Sequence, residues 1–446
     1  MRSAAESFGF SDEGITQIVL DSRKDISNGL FVPIVGERSD GHDYIEMAIE
    51  HGAAAVLSQR DVSALQEKYP NVRFYHVEDT RLALQEIGYM ERQKFHGTVI
   101  GVTGSVGKTT TRNMIAAALG SQRRVFQTAG NANSQVGVPI TMFEMARSGA
   151  ELAVIELGMS EPGEMTRIAQ VACVDMAVMT NIGIAHIEQL KTQENILREK
   201  LHILDGMKDG GLLLLNGEDP LLSSVTEEML HDWGIMTDRS MRIQQYRSTD
   251  FTSPLSVRGE HMRQNAAAAM EVCRALGLEE GAAAEALAGF TGVKGRGEVL
   301  RLSNGVTVID DAYNASPVSM KAGLSVLAEM EGERRIAVLA DMLELGEKSA
   351  EYHAEVGAYL AKLPIETVFL YGERAKDIGA GLQRALGPDN KAPELHSFTD
   401  FSELEKAVTH AADPGTVFLF KGSNSMGLSR LVENFRQQEA ACTQES

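Results

Sequence analysis

Residues 99–120 read VIGVTGSVGKTTTRNMIAAALG, and the order of residue types is that of a phosphate-binding device. An apolar run delivers the chain to a turn of small residues, Gly104, Ser105 and Gly107, from which backbone N–H groups can converge on an anion. Lys108 adds a point charge, and the helical pattern that follows adds the positive end of its aligned peptide dipoles. The Thr109 hydroxyl is suited to a nucleotide's magnesium ion, with Thr110 beside it. A tight strand-to-helix turn with a solvated lysine is the plainer alternative, but it accounts for one glycine and not for the whole succession. Strict G-x-x-x-x-G-K-T spacing asks for glycine at 102, where the chain has Val102 between Gly101 and Gly104, so the loop is a variant of that form. No N-K-x-D guanine-reading motif occurs, which favours ATP.

Two further side chains fit phosphate chemistry by position. Glu156 closes the apolar run ELAVIELG, and His186 follows DMAVMTNIG. Both fall at carboxyl ends of expected strands, where open α/β sheets bind ligands. A carboxylate and an imidazole there can hold Mg²⁺ against transferring phosphoryl oxygens.

The elements that must position these groups alternate along most of the chain. GLFVPIVG, AAAVLSQR and VRFYHVED read as strands between the helical patterns HDYIEMAIEHG and TRLALQEIGYMERQKF. TVIGVTG, ELAVIELG, DMAVMTNIG and GLLLLNGED continue the alternation, as do VTVIDDAYNA, RRIAVLADM, ETVFLYG and GTVFLFKGS further on. Apolar strands each followed by a helix predict parallel sheets covered on both faces. Three α/β domains are expected, at 1–95, 96–298 and 299–446. The stretch 221–258 is polar and weakly periodic, and yields no assignment.

Composition narrows the class. The 42 Lys and Arg against 62 Asp and Glu leave a formal charge of −20, which repels nucleic acid and anionic membranes. Any anionic substrate must therefore be held by local amides and cations. Three cysteines (Cys173, Cys273 and Cys442) without CxxC spacing exclude a disulfide framework or zinc ribbon and suit a reducing compartment. The N-terminus MRSAAESFGFSDEG lacks an apolar signal core, and no run approaches about 20 apolar residues. A cytoplasmic protein with no stable membrane insertion is expected.

The segments TGSVGKTT, ELGMSEPGEM, TNIGIAHIEQ, GEHMRQNAAAA, KGRGEVL, IDDAYNASPVSMKA and KGSNSM stand in the order found in Mur ligases, and the chain resembles that family over almost its whole length. DSRKDISNGLFVPIVGERSDGHDYIEMAIEHGAAAVL, with DDAYNASP and LADMLELGE, is similar to the members that take a UDP-muramyl peptide and D-Ala-D-Ala. The resemblance implies a small N-terminal α/β UDP-binding domain, a central P-loop parallel-sheet ATPase domain and a C-terminal Rossmann-like α/β domain. It implies an ATP-dependent amide ligase, expected as a monomer, working through an acyl phosphate with Mg²⁺ at two sites. Lys108, His186 and Lys200 are then the catalytic set. Gly104, Ser105, Gly107, Lys108, Thr109 and Thr110 hold the ATP phosphates, Asn265 the adenine, Asp311 the ribose side, and Arg296 the nucleotide near the third domain. Thr109, Glu156, His186 and Lys200 serve the metal, with Lys200 N-carboxylated; outside the resemblance Lys200 reads as a solvated helix lysine. Ser22 and Arg23 face the UDP end with the segment 36–42. Asn131, Asn133, Tyr313, Asn314, Lys421, Ser423 and Asn424 fall on the segments that handle acceptor and dipeptide.

Some residues depart from the family pattern. GNANSQVGVP places Ser134 where an amide is usual and Gln135 where a carboxylate is usual, and KGSNSM places Asn424 where a guanidinium is usual. The stretch 234–256 looks short, as though strands at the edge of the ATP domain were missing. These changes leave room for a related ligase joining another amino acid or dipeptide. A P-loop switch without ligase chemistry is the other class to weigh, but it has no use for a UDP-binding segment. If Lys108 neutralises the transferring phosphoryl group, Lys108→Ala lowers ATP-dependent phosphate release by about a hundredfold or more; a malachite-green assay checks this.

Overall fold

The structure is a computed structural model that describes residues 8–235, 239–387 and 392–444. It resolves into two compact units. The first gathers the residues up to Gly104 with Leu119–Thr180 and Leu197–Gln245; the second gathers Ser105–Ala118, Asn181–Ile196 and the chain from Tyr246 onward.

The first unit carries two sheets. β1 (Gln17–Val19), β2 (Gly29–Phe31), β3 (Ala53–Ser58) and β4 (Arg73–His76) lie side by side in chain order, all parallel. The other sheet holds β5 (Thr98–Thr103), β6 (Val125–Gln127), β7 (Leu152–Glu156), β8 (Met176–Met179), β9 (Gly211–Asn216) and β10 (Met241–Tyr246) in the order β10-β9-β8-β5-β7-β6. Every residue of β7, β8 and β9 is buried, as the unbroken apolar runs LAVIE, MAVM and GLLLLN require of strands covered on both faces. Chain order reverses on the two sides of β5. That reversal makes its carboxyl end the switch point at which such sheets bind ligands, and β7 is paired so that Glu156 lies opposite Val102. Val102 is buried inside β5, which explains why glycine is absent there: the position belongs to the sheet and the turn begins two residues later.

The helix Thr80–Lys94 joins the two sheets. Asp79 caps it, its carboxylate accepting from the N–H groups of Arg81 and Leu82 at 2.7 and 2.9 Å. Its inward positions, Ala83, Leu84, Ile87 and Gly88, recur at three and four residues. They pack on the helices Gly137–Arg147 and Glu164–Ala172. A Cβ on Gly88 would sit 2.6 Å from the Pro139 Cα, so only glycine permits this approach. Near its end Arg92, 2% exposed, donates to the carbonyls of Ala172, Phe95 and Cys173 at 2.8–2.9 Å and to Asp175 at 3.2 Å.

The second unit contains one complete sheet: β11 (Glu298–Arg301), β12 (Thr307–Asp311), β13 (Arg334–Ala340), β14 (Thr367–Tyr371), β15 (Glu394–Phe398) and β16 (Thr416–Lys421), ordered β11-β12-β16-β13-β14-β15. All pairs are parallel except β11 with β12. Alternate residues face opposite cores. Val417 and Leu419 join one with Leu324, Leu327 and Val356, while Phe418 and Phe420 join the other with Leu404 and Phe435.

Parallel α/β sheets with helical cover agree with the expected fold class. The strands without a sequence signal are the short or polar ones. β10 runs MRIQQY inside 221–258 and supplies an edge where edge strands looked to be missing. Only Tyr246 of it is fully buried, because an edge strand has to cover one side alone, and its polar residues hide the period. β1, β6, β11 and β15 are likewise short or half-exposed.

Arg92→Ala leaves three carbonyls without their donor, so it is expected to lower stability by about 2–4 kcal/mol. Arg92→Lys recovers only part, since one ammonium cannot reproduce the planar fork. Urea midpoints of the two variants check the order.

Candidate active site

Within the second unit the phosphate loop is braced before any ligand arrives. Asn181 grips it from two sides: its carbonyl accepts from the Ser105 N–H at 2.9 Å, and its amide exchanges hydrogen bonds with the Val106 N–H and C=O at 2.9 and 3.0 Å. Ser105 Oγ accepts from the Gly183 N–H at 2.8 Å. Gly107 takes a left-handed φ of 82°, which a side chain would oppose. The helix Lys108–Gly120 starts directly after it, with Thr109 and Thr110 buried in its first turn. Lys108 Nζ curls to within 3.4 Å of the Ser105 carbonyl. Asn265, expected at the adenine, accepts from Thr111 Oγ1 at 2.9 Å and so ties the helix Glu260–Ala275 to the P-loop helix.

In the first unit Glu156 is 1% exposed at the end of β7. Its backbone N–H donates to Thr128 Oγ1 at 2.9 Å, and its Oε1 accepts from Asn133 Nδ2 at 2.7 Å. Asn133, expected at the acceptor substrate, is therefore placed on the candidate metal carboxylate, which it orients. Asn131 is exposed, one turn back, its carbonyl accepting from the Asn133 N–H at 2.7 Å. Lys200 is also 1% exposed, where a solvated helix lysine would face water. Its neighbour Glu199 accepts from the N–H groups of Gly163 and Met165 at 2.9 and 3.0 Å, fixing the helix Gln193–Leu201 to the loop after β7.

His186, in the second unit, has a left-handed φ of 62°, and its Nδ1 lies 3.1 Å from Glu344 Oε2. A carboxylate on one ring nitrogen sets the tautomer and aims the other, the arrangement that metal-binding histidines use. In the sheet of that unit Asp311 ends β12 and meets Lys421, the last residue of β16, at 2.6 Å. Lys421 is 2% exposed and also donates to the Asn314 carbonyl at 3.2 Å. Arg296 stacks over the Tyr313 ring, 4.0 Å from its centroid. Ser423 is buried; its N–H donates to the Asp341 carbonyl at 3.0 Å and its Oγ accepts from the Leu343 N–H at 2.9 Å. Asn424 is exposed beside it.

At the N-terminal sheet Ser22 is buried with Oγ 3.5 Å from Met47 Sδ, and its carbonyl lies 2.8 Å from His51 Nδ1. Arg23 forms a two-pronged pair with Asp21, both bonds at 2.8 Å, which holds the Asp21 carboxyl well below the usual carboxylate range. Tyr44 and Met47 leave apolar surface exposed there. In the segment 36–42 the His42 backbone N–H, then burial working against it, then the His42 ring and Arg60 bring Asp40 to about 2.

The family comparisons cover all three sheets. Residues 14–91 match the description "Mur ligase family, catalytic domain", residues 102–273 "Mur ligase middle domain", and residues 295–424 "Mur ligase, glutamate ligase domain". The UDP-N-acetylmuramoyl-tripeptide–D-alanyl-D-alanine ligase of Bacillus subtilis (strain 168) is 37% identical over 429 residues, 94% of this chain and 92% of the relative. The chain belongs to the Mur ligase family. A MurF crystal structure from Acinetobacter baumannii superposes with a TM-score of 0.80 at 28% identity, covering 95% of this chain and 94% of that one. The MurF ligase of Thermotoga maritima in complex with ADP gives the same TM-score and identity over 97% of this chain and 100% of that one. The three-domain Mur ligase fold is thus shown for this chain.

Among the described residues no three His, Cys, Asp or Glu side chains meet as a protein-only metal cage. Magnesium does not need one, since it takes one or two carboxylates and completes its shell with phosphate oxygens and water. Taken singly, the buried carboxylate of Glu156 in the first unit and the Thr109 hydroxyl after the P-loop lysine in the second are oxygen donors of the kind it takes.

Two residues that contact expected site residues or the loop bearing them had no signal of their own in the sequence. Asn181 lies inside TNIG and Glu344 inside LADMLELGE, but what each does depends on a partner distant in the chain. The departure at Gln135 also acquires a reason. Its Nε2 donates to Glu164 Oε1 at 2.6 Å while its Oε1 accepts from Arg167 Nε at 2.8 Å. Glu164 in turn caps the loop after β7 by accepting from the Ser160 and Glu161 N–H groups at 2.6 and 3.1 Å. A carboxylate at 135 would face Glu164 with no proton between them. Gln135→Glu is therefore expected to destabilise the protein by about 1–3 kcal/mol at pH 8, and to regain stability near pH 5 as the two carboxylates share a proton. Melting curves across that range check the sign.

Proposed function

We propose that this chain joins the amino group of D-alanyl-D-alanine to the terminal carboxylate of UDP-N-acetylmuramoyl-tripeptide, with cleavage of ATP to ADP and phosphate, and so forms the pentapeptide precursor of peptidoglycan. The observation that carries this reading is similarity to a ligase of that name along nearly the whole chain. It includes the N-terminal sheet, for which a bare ATPase has no use.

The chemistry follows from what a carboxylate lacks. Its charge is delocalised and its oxygen leaves badly, so an amine cannot displace it. Transfer of the ATP γ-phosphoryl group to a carboxylate oxygen makes an acyl phosphate. The amine nitrogen then attacks the carbonyl carbon, and the tetrahedral intermediate expels inorganic phosphate. The protein's part is positioning and charge neutralisation. The amides of Gly104–Gly107 and the Lys108 ammonium hold the phosphates, and the Asn181 clamp keeps those amides aimed without ligand. Thr109, Glu156, His186 and Lys200 are the proposed metal-serving groups at two magnesium sites, where the ion supplies charge neutralisation. Asn265, Arg296 and Asp311 take the nucleoside. Ser22 and Arg23 take the UDP end. Tyr313, Asn314, Lys421, Ser423 and Asn424 face the dipeptide.

A buried Lys200 is the case most in need of a chemical form. As an ammonium it would bring positive charge to a metal-serving set, whereas N-carboxylation by CO₂ gives it an anionic head. The proposed domain limits are 1–95, 96–298 and 299–446. No helix among the described residues is long and apolar enough to cross a membrane; the proposed setting is the cytoplasm and the proposed state a monomer.

With ATP, UDP-muramyl-tripeptide and D-Ala-D-Ala, the protein is expected to yield ADP, phosphate and UDP-muramyl-pentapeptide in equal amounts, read by mass spectrometry. A panel of other amines that outperforms D-Ala-D-Ala overturns the substrate assignment. Lys200→Ala loses turnover, and formate or acetate restores part of it if the working form is a carbamate.

A further inference from the structure

Arg296, proposed at the nucleotide, sits on a backbone that cannot aim it unaided. Gly295 and Gly297 flank it with left-handed φ of 77° and 78°, and glycine takes either sign of φ with little preference. The direction of the guanidinium is therefore set by bonds from outside the loop. Three of them come from β12 and the two residues after it, wholly within the second unit. The buried Asp310 accepts the Gly295 N–H at Oδ2 (3.1 Å) and the Gly297 N–H at its carbonyl (2.8 Å). The Gly295 carbonyl accepts the Tyr313 N–H at 3.0 Å, which brings the Tyr313 ring beneath Arg296.

This clamp has an electrostatic weakness. In the antiparallel register of β11 and β12, Glu298 lies directly opposite Asp310, and like charges so placed repel each other. Arg436, on the last helix (Ser429–Gln444), sets its guanidinium between them: Nη2 donates to Asp310 Oδ2 at 3.0 Å and to Glu298 Oε2. The Asp310 oxygen that Arg436 holds is the one that takes the Gly295 N–H. The same helix is seated on this region at two further points. Glu433 meets Lys294, two residues before Arg296, at 3.1 Å. Glu439 accepts from the Ser303 N–H and Oγ at 2.8 and 2.9 Å, in the turn at the other end of β11.

We infer that Arg436 is a positioning residue for the nucleotide. By neutralising the Glu298–Asp310 pair it keeps Asp310 on the Gly295 N–H and so holds the loop that aims Arg296. The inference rests on the proposed role of Arg296 and extends it to a helix from the other end of the chain.

The test is isothermal titration calorimetry of ADP with Mg²⁺, together with kcat at saturating substrates; the calorimetry does not depend on which amine the protein uses. The proteins are the native chain, Arg436→Gln, Arg436→Lys, Glu439→Gln, Arg296→Gln and the double variant Arg296→Gln with Arg436→Gln. Arg436→Gln is expected to raise the Kd for ADP about tenfold, the worth of one hydrogen bond to a charged group. Its kcat changes by less than about twofold, since binding is lost and not the reaction itself. Arg436→Lys keeps the charge without the planar fork and falls between the two. Glu439→Gln loosens the same helix away from the loop and keeps the native Kd. In the double variant the Kd equals that of Arg296→Gln, because nothing is left to position, whereas a purely structural residue would add its effect in full. Should the glutamine variant fail to fold, Arg436→Lys carries the same cycle. The inference is overturned if Arg436→Gln binds ADP as the native protein does, if Glu439→Gln weakens ADP equally, or if the changes at 296 and 436 add. Native ADP affinity in Arg296→Gln overturns instead the role of Arg296 on which the inference stands.

Discussion

A protein with a formal charge of −20 that works on phosphates and carboxylates must create positive potential locally, against its own field. Mobile surface lysines serve poorly, since water and salt screen them. The structure relies instead on dipoles and charges held by other atoms. The P-loop amides are fixed by the backbone and side chain of Asn181. Two of the buried cations show the pattern: Lys421 has Asp311 and the Asn314 carbonyl, and Arg92 has three carbonyls and Asp175. Groups fixed in this way need no reorganisation when charge develops on a substrate, which is the property that makes electrostatic stabilisation effective.

The same logic extends to the anions. Glu156 is buried where a free carboxylate would be unfavourable, and it is tolerated because an amide donates to it and a threonine hydroxyl holds its backbone. Glu164 and Glu199 are spent on loop N–H groups, so that the loop following β7 is drawn toward Gln135 on one side and toward the helix bearing Lys200 on the other. The amide at 135 suits this arrangement better than the carboxylate usual in the family, because it can donate to Glu164 and accept from Arg167 at once. The departure is thereby accounted for within the protein's own network and calls for no change of substrate.

Much of this was legible in the sequence where the information is local. The P-loop, the strand end bearing Glu156 and the buried parallel strands announce themselves within about ten residues, whereas His186, expected at a strand end, lies beyond β8 (Met176–Met179) at the start of the short helix Ile187–Leu190. What escaped is what depends on partners far apart in the chain. Asn181 acts on residues 75 positions earlier, and Glu344 reaches His186 across two elements of the second unit. β10 escaped for a different reason: an edge strand covered on one side can be written in arginine and glutamine, and MRIQQY has no pattern that a window can detect. Lys200 was placed by resemblance alone, and its burial is a property of the packed structure that helical spacing did not reveal.

Backbone strain marks where local rules give way. His186, Lys191 and Glu344 adopt positive φ without being glycine, at 62°, 73° and 61°. Conformations of this kind disfavour a side-chain-bearing residue by about 1–3 kcal/mol each. Three of them together approach the whole net stability of a small domain. Asn28, also left-handed, is a residue type that tolerates the region, and Cys173 ends a helix, where one such residue is common. Of the other three, His186 is also a type found in that region and Lys191 also ends a helix, Ile187–Leu190, whereas Glu344 has neither reason. They are held by specific bonds: Glu344 meets the His186 ring, and around Lys191 the Thr192 N–H closes a three-residue turn on the Leu190 carbonyl while Lys191 Nζ donates to the Glu188 carbonyl at 2.6 Å. Glycine at any of these positions would relieve the strain and would delete the imidazole, the ammonium or the carboxylate. Retaining the side chain in a strained backbone makes sense only where that side chain is needed, and all three stand at the rim of one cavity or next to it. The strained positions thus gather on one stretch of the second unit, where local backbone preference has yielded to the side chains it carries.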